Sequence, residues 1–283
     1  SEMETESNIR IKLRIFKDDY FNRVRKMLQH IHRGDIYEAN FCQEFYAEGT
    51  EIDPLRTYVK LNSITRAPFS TFLKINDKYL LSSSPERYIK KINTKIISQP
   101  IKGTAKRSLD KIEDNVLVKT LESDEKERAE NIMIVDLVRN DLSKSALKGT
   151  VEVEELCKVY SFDQVHQMIS TISAEVSSTA NPVDIIRETF PMGSMTGAPK
   201  VSAMRIIEEL EASKRGLYSG TVGYFTPEND FDFNVVIRSI LYNKTTQYVS
   251  FSVGSAITAK AIPEREYEEC LLKAKAMRQV LEN

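Results

Sequence analysis

Residues 69–98, FSTFLKINDKYLLSSSPERYIKKINTKIIS, are a series of short β-type runs divided by turn formers. Asn76-Asp77 sits midway along residues 69–82 and folds them into a hairpin, and Asn93 separates further short strands over 86–98. Strands joined this tightly run antiparallel, because a parallel pair needs a long crossover. Toward the N-terminus, Phe21, Val24, Leu28 and Ile31 recur at three- and four-residue steps. That spacing predicts an amphipathic helix over 18–33, with Asp18 as cap and Gly34 as stop. Ile36 to Tyr46 is strand-like. Positions 110–140 are rich in charge and helix formers and predict two successive helices. Val151–Tyr160 and Gln164–Val176 return to β-branched alternation, Asn181-Pro182 opens a short helix, and Pro199–Ser213 is another. Three β-type runs at 219–226, 231–242 and 247–254 precede a charged helix over 264–281. Strands cluster, with helices between the clusters instead of after each strand. The pattern predicts an antiparallel α+β fold over a doubly wound parallel sheet. Residues 1–17, opening with the polar SEMETESN, are expected as an N-terminal extension frayed at its start, and 18–283 as one catalytic domain.

Composition narrows the function classes. The 283 residues carry 40 basic and 41 acidic side chains, so no global positive field recommends nucleic acid or an anionic membrane as partner. No apolar run approaches the roughly 20 residues that a membrane helix needs. Three cysteines, Cys42, Cys157 and Cys270, lie far apart without a CxxC pair. This speaks against a disulfide framework or thiolate zinc and suits a reducing cytoplasm, the expected location. Three histidines are too few for a multi-histidine metal site.

Four features carry candidate chemistry, each beside a plainer reading. GSMTGAPK, Gly193 to Lys200, precedes a predicted helix and could present free amides to an anion, or be an ordinary turn. The acidic doublets Glu127/Glu130 and Glu266/Glu269 fall in helical stretches, where a three-residue step puts both carboxylates on one face. Brought together they would suit Mg²⁺; apart they are solvated charge. Lys102 in QPIKGT is a nucleophile if partly desolvated and a solubilising loop charge otherwise. Glu86 in SPER is a proton-transfer candidate or a turn residue, and Arg238 in the apolar VVIRSI either faces solvent or grips a carboxylate.

These stretches are not independent. GDIYEANF, SSSPERY, QPIKGTAKR, AENIMIVDLVRNDL, FPMGSMTGAPKVSAM, YSGTVGY, FNVVIRSI and EYEECLLKAKAM occur in the order found in the chorismate-utilising enzymes. The chain resembles that family, which includes anthranilate, aminodeoxychorismate, isochorismate and salicylate synthases, from about Phe21 to Met277. The resemblance implies two packed, mainly antiparallel sheets with outer helices and an active site in the cleft between them. It implies Mg²⁺ on Glu130 and Glu269, with Glu127 and Glu266 in support. Chorismate would be held by Arg238, Tyr218, Gly193, Ser194, Thr196, Gly254, Ser255, Lys273 and Thr104. Glu86 matches the family's general acid/base.

Within the family, PIKGT resembles aminodeoxychorismate synthase component I, whereas anthranilate synthases generally have PIAGT. The lysine, Lys102 here, then adds to C2 of chorismate as C4 loses water, and ammonia at C4 expels it. The resemblance also implies that ammonia arrives from a separate glutamine amidotransferase subunit, since this chain has no amidotransferase nucleophile motif. The alternatives are another Mg²⁺-dependent chorismate enzyme, making anthranilate, isochorismate or salicylate, and a non-catalytic chorismate-binding subunit. Four positions depart from the pattern. Gln167 stands where relatives carry a histidine, and His166, on the opposite face of a strand, is assigned no catalytic role. Glu38 stands where ammonia users carry glutamine and water users a lysine base. Met192 and Ala256 replace usual glycines. Relatives also carry an N-terminal region of about 150 residues, a domain-scale length. In anthranilate synthases that region binds tryptophan, so tryptophan inhibition is not expected of this chain.

Overall fold

The computed structural model describes residues 9–163 and 165–282. The SEMETESN start of the expected extension and Gln164, expected to open a strand, lie outside them. The chain divides into two compact units, Ser1–Pro85 with Met195–Thr221 and Val235–Asn283, and Glu86–Ser194 with Val222–Asn234. Each unit holds one antiparallel sheet, and seven α-helices accompany the two sheets among the described residues. The α+β class expected from strand clustering is the class adopted.

In the first unit the sheet runs β1 (Lys12–Leu13), β2 (Glu38–Ala47), β14 (Tyr248–Thr258), β13 (Ser239–Asn243), β4 (Lys78–Ser84), β3 (Phe69–Ile75), and β10 (Gly197–Ala198) pairs with β2. The hairpin read at Asn76-Asp77 forms between β3 and β4, with Asn76 at φ 54°. Its helices are α1 (Lys17–Arg33), α2 (Pro54–Thr65), α6 (Lys200–Leu210) and α7 (Pro263–Glu282). Helix α1 buries Tyr20, Phe21, Val24, Met27 and Ile31 and stops at Gly34, at φ 84°. Phe16, not Asp18, holds the cap position, and Asp18 falls in the first turn, where its charge favours the helix dipole. Alternation along β2 and β14 sends Phe41, Phe45, Phe251, Val253 and Ile257 to one buried face. Phe45 stacks on Phe251 with centroids 5.1 Å apart. Each such side chain contributes about 1.5–3 kcal/mol by leaving water. Ile9, Ile11 and Ile15, from the stretch read as an extension, join this core.

The second unit's sheet runs β11 (Gly223–Phe225), β12 (Phe231–Asn234), β5 (Arg87–Ile92), β6 (Lys95–Gln99), β9 (Val165–Glu175), β7 (Ile101–Lys106), with β8 (Glu152–Ser161) also on β9. Its helices are α3 (Lys111–Ser123), α4 (Glu125–Ser143) and α5 (Pro182–Thr189). Strand β8 pairs along most of β9, while β6 and β7 follow one another along the rest of its pairing: Ser98 opposes Ile172 and Ile101 opposes Ile169. Helix α4 packs on β9, β7 and β8.

Three expectations need correction. The run 231–242 is not one strand: β12 ends at Asn234, Arg238 takes φ 51°, and β13 starts at Ser239. Strand structure in the run 219–226 is confined to β11, because Ser219 at φ 65° and the bonds Ser219 N→Val236 O and Val236 N→Gly220 O close an irregular pairing instead. The helix expected over 199–213 ends at Leu210. Helix α2 was not anticipated, although Asp53 caps it from ahead of Pro54.

Candidate active site

In the second unit, QPIKGT is a strand, not a loop. The β7–β9 ladder steps from Ile101↔Ile169 to Thr104↔Gln167, so Lys102 and Gly103 stand against the single residue Met168. That is a β-bulge, and it re-aims side chains at the point where it occurs. Gly103 takes φ +98°, and a Cβ there would meet Glu127 Cβ, Leu121 Cδ1 and Met168 Cβ, each at 3.3 Å. The dihedral favours glycine, and the close approach leaves a Cβ little room. Lys102 is thereby part-buried, with Nζ 3.3 Å from Glu130 Oε2.

Glu127 and Glu130 lie one turn apart on α4, whose first turn is capped by Asp124 accepting from Glu127 N at 2.9 Å. Burial, then the charge of Glu130, pushes the Glu127 pKa upward, while Lys102 and Lys126 draw it back. The doublet thus sits in a partly desolvated place, with Lys102 and Lys126 both paired with Glu130. Glu86 is buried ahead of β5, and the next residue, Arg87, is locked bidentately to Asp232 at 2.9 and 3.0 Å. Thr104 is exposed on β7, and Gly193 and Ser194 lie in the short 3-10 turn Gly193–Met195 rather than at the start of α6.

In the first unit, Arg238 is part-buried, and among the described residues its guanidinium makes one long hydrogen bond, to Lys273 O at 3.5 Å. Burial lowers its pKa, with Tyr218 and Glu269 opposing. A guanidinium that has lost water without gaining a carboxylate is suited to take one from a ligand. Tyr218 is buried, and burial first, then Cys42, raises its pKa well above the ordinary value. It stays a neutral hydroxyl, accepting from Cys42 Sγ at 3.7 Å. Gly254 lies where a Cβ would come 2.3 Å from Asn40 Oδ1 and 2.6 Å from Cys42 Sγ. Its carbonyl accepts from Lys273 Nζ at 2.9 Å, and that ammonium also pairs with Glu269 at 2.5 Å. Glu266 is buried and receives a short hydrogen bond from Ser255. Thr196 is buried, its carbonyl accepting from Asn40 N at 2.7 Å.

Sequence reading missed the group that ties this half together. All five N–H groups of Arg215 are used: Nη1 donates to Met195 O and Ser219 Oγ, Nη2 to Asn40 O and Glu211 Oε1, and Nε to Glu211 Oε2, over 2.5–3.1 Å. Glu211 Oε1 also accepts from Cys42 N at 2.9 Å. One guanidinium thus fixes β2, the GSMTG turn and the Tyr218 turn. The only sequence hint is an acid and a base four apart in an otherwise unremarkable loop.

His166 lies away from these groups: its ring bonds Ser161 Oγ and Asp114 Oδ1, both at 2.8 Å. As for a metal, the four glutamates form one pair in each unit, and no group of three or more potential ligands gathers among the described residues. Paired carboxylates nonetheless fit Mg²⁺, which commonly takes one or two carboxylates and completes its shell with water and substrate. Burial first, and the Glu130 charge second, disfavour an ionised Glu127, and a divalent cation bound there would favour the ionised form.

Residues 1–279 match the model described as chorismate binding enzyme, and the chain belongs to that family. Over 94% of its length it is 42% identical to a protein of Oryza sativa subsp. japonica named probable aminodeoxychorismate synthase, chloroplastic. It is 39% identical, again over 94%, to aminodeoxychorismate synthase component 1 of Escherichia coli. The chain spans 30% and 58% of these relatives' own lengths. A crystal structure of anthranilate synthase component I from Streptococcus pneumoniae superposes with a TM-score of 0.86 at 31% identity, covering 96% of this chain and 60% of that one. No helix among the described residues is long and apolar enough to cross a membrane.

Proposed function

We propose that this chain carries the chorismate-aminating activity of aminodeoxychorismate synthase component I, in which chorismate and ammonia give 4-amino-4-deoxychorismate and water, toward p-aminobenzoate and folate. The observation that carries the reading is Lys102, held on a bulged strand with Nζ 3.3 Å from Glu130. Once its ammonium has lost a proton to solvent, the amine of Lys102 bonds to C2, both ring double bonds shift, and the C4–O bond breaks. The hydroxyl leaves as water with a proton from Glu86, which takes back the proton that the alkylated nitrogen sheds. Ammonia then bonds to C4, the double bonds shift back, and the C2–N bond breaks, the proton lost by the new amine going to the departing Lys102 nitrogen. Arg238 and the hydroxyl of Tyr218 hold the enolpyruvyl carboxylate, with Thr196, Gly254, Ser255, Lys273, Gly193, Ser194 and Thr104 around the substrate. Glu130 and Glu269, supported by Glu127 and Glu266, would hold Mg²⁺, which when bound neutralises the ring carboxylate and assists departure of the hydroxyl. A glutamine amidotransferase subunit supplies the ammonia, in keeping with the relative named as a component 1.

The likeness to an anthranilate synthase structure favours a second reading, amination at C2 with anthranilate as product. Product identification by mass spectrometry separates the two, using chorismate, Mg²⁺ and excess ammonium at mildly alkaline pH. Aminodeoxychorismate is expected. Anthranilate, isochorismate or salicylate would discard the assignment of amination at C4, and binding without turnover would point to a chorismate-binding subunit.

A further inference from the structure

We propose that Asn131 is a positioning residue for Lys102, holding open the bulge that aims the lysine; this rests on the covalent reading above. A bulge interrupts a ladder, and the polar backbone groups around it need other partners. Asn131 Nδ2 reaches both sides of this one, donating to Lys102 O on β7 at 3.3 Å and to Met168 O on β9 at 3.4 Å. Its oxygen is fixed in turn by Ser170 Oγ at 2.5 Å and Cys157 Sγ at 3.7 Å. The amide therefore has two donor and two acceptor contacts and is 1% exposed.

The placement has a consequence for the chemistry. Asn131 directly follows Glu130 on α4, so one helical step fixes both the backbone of the lysine and the carboxylate beside its ammonium. Without the amide, the two carbonyls at the bulge lose their common donor. β7 is then free to settle toward regular pairing, and a one-residue change of register sends a strand's side chains to the opposite face. Lys102 would leave Glu130 while the first unit's arginine and tyrosine stayed where they are. The loss should fall on the chemical step and not on substrate binding.

The test compares the parent with Asn131→Ala, Ser170→Ala and Lys102→Ala, measuring amination of chorismate with ammonium and Mg²⁺ together with thermal melting. Asn131→Ala is expected to lower kcat about 10²-fold, the cost of misplacing a reacting group by about 1 Å, with KM for chorismate within about twofold. Ser170→Ala, which removes one of the two donors to the amide oxygen, is expected to give a smaller kcat loss with the same split, and it carries the test if Asn131→Ala does not fold. Parent-like kcat in a folded Asn131→Ala, or kcat and KM falling away together in both variants, would overturn the positioning role. Parent-like turnover in Lys102→Ala would overturn the covalent reading itself, whatever the Asn131 result.

Discussion

In the first unit, Arg215 gives every N–H it has to fixed neighbours, and the strands it ties sit over a core of stacked aromatics. In the second, Lys102 sits on an interrupted ladder beside one asparagine amide, with Leu121, Cys157 and Met168 packed together beneath it. On the proposed reading, Arg238 in the first half meets a ligand carboxylate, and Lys102 in the second, on a local irregularity stabilised by polar side chains, is the reacting amine. Each half should then fail in its own way.

The largest expected effect is on the lysine half. Lys102→Ala should lower chorismate amination at least about 10³-fold, as losing a nucleophile does, while chorismate binding by calorimetry stays near the parent value. Arg238→Ala should do the opposite. Removing a charge-assisted pair is worth about 2–3 kcal/mol, so KM should rise roughly 30- to 150-fold with a much smaller change in kcat. If Arg238→Ala lowered kcat alone, the division of labour between the halves would be wrong. Gly103→Ala forces a left-handed backbone and three tight contacts on the bulge. A loss in kcat of about 10-fold or more is expected, measured in the same assay.

The smallest effect concerns pH. The Asp114 carboxyl is held well below the ordinary range, first by the Arg107 guanidinium, then by the Ser108 amide and His166. A depressed acid adds stability that is present above its unfolded value near 3.8 and lost as pH falls further. Asp114→Asn should therefore melt a few degrees below the parent at neutral pH, and the gap should narrow below about pH 4. A gap that widened on acidification would contradict the assignment.

The sequence displayed most of the longer strands, most helices and the antiparallel class because hydrophobic period and turn residues report local structure directly. Asn76 and Asn93, both at φ 54°, turned where their type allows. Helix α2 escaped because Leu55 and Val59 face solvent, which blurs its apolar stripe despite the Asp53-Pro54 start. The break at Arg238 escaped because its left-handed backbone is hidden inside an apolar run. Of the candidate site, the motif residues were legible as residue types, Lys102 and Arg238 among them. The supports were not: Arg215 lies in a loop and Asn131 beside a more conspicuous glutamate, and each acts through atoms distant in sequence.

The pairing of β2 with β14 also bears on synthesis. Ala47 faces Val249 and Glu38 faces Thr258, partners roughly 200 positions apart, a separation that slows folding. At about 5–20 residues per second on the ribosome, β2 waits on the order of 10–40 s for the strand that completes its sheet. Over that interval Phe45 lacks the Phe251 ring that stacks on it, so the nascent chain shows apolar surface that the finished fold buries.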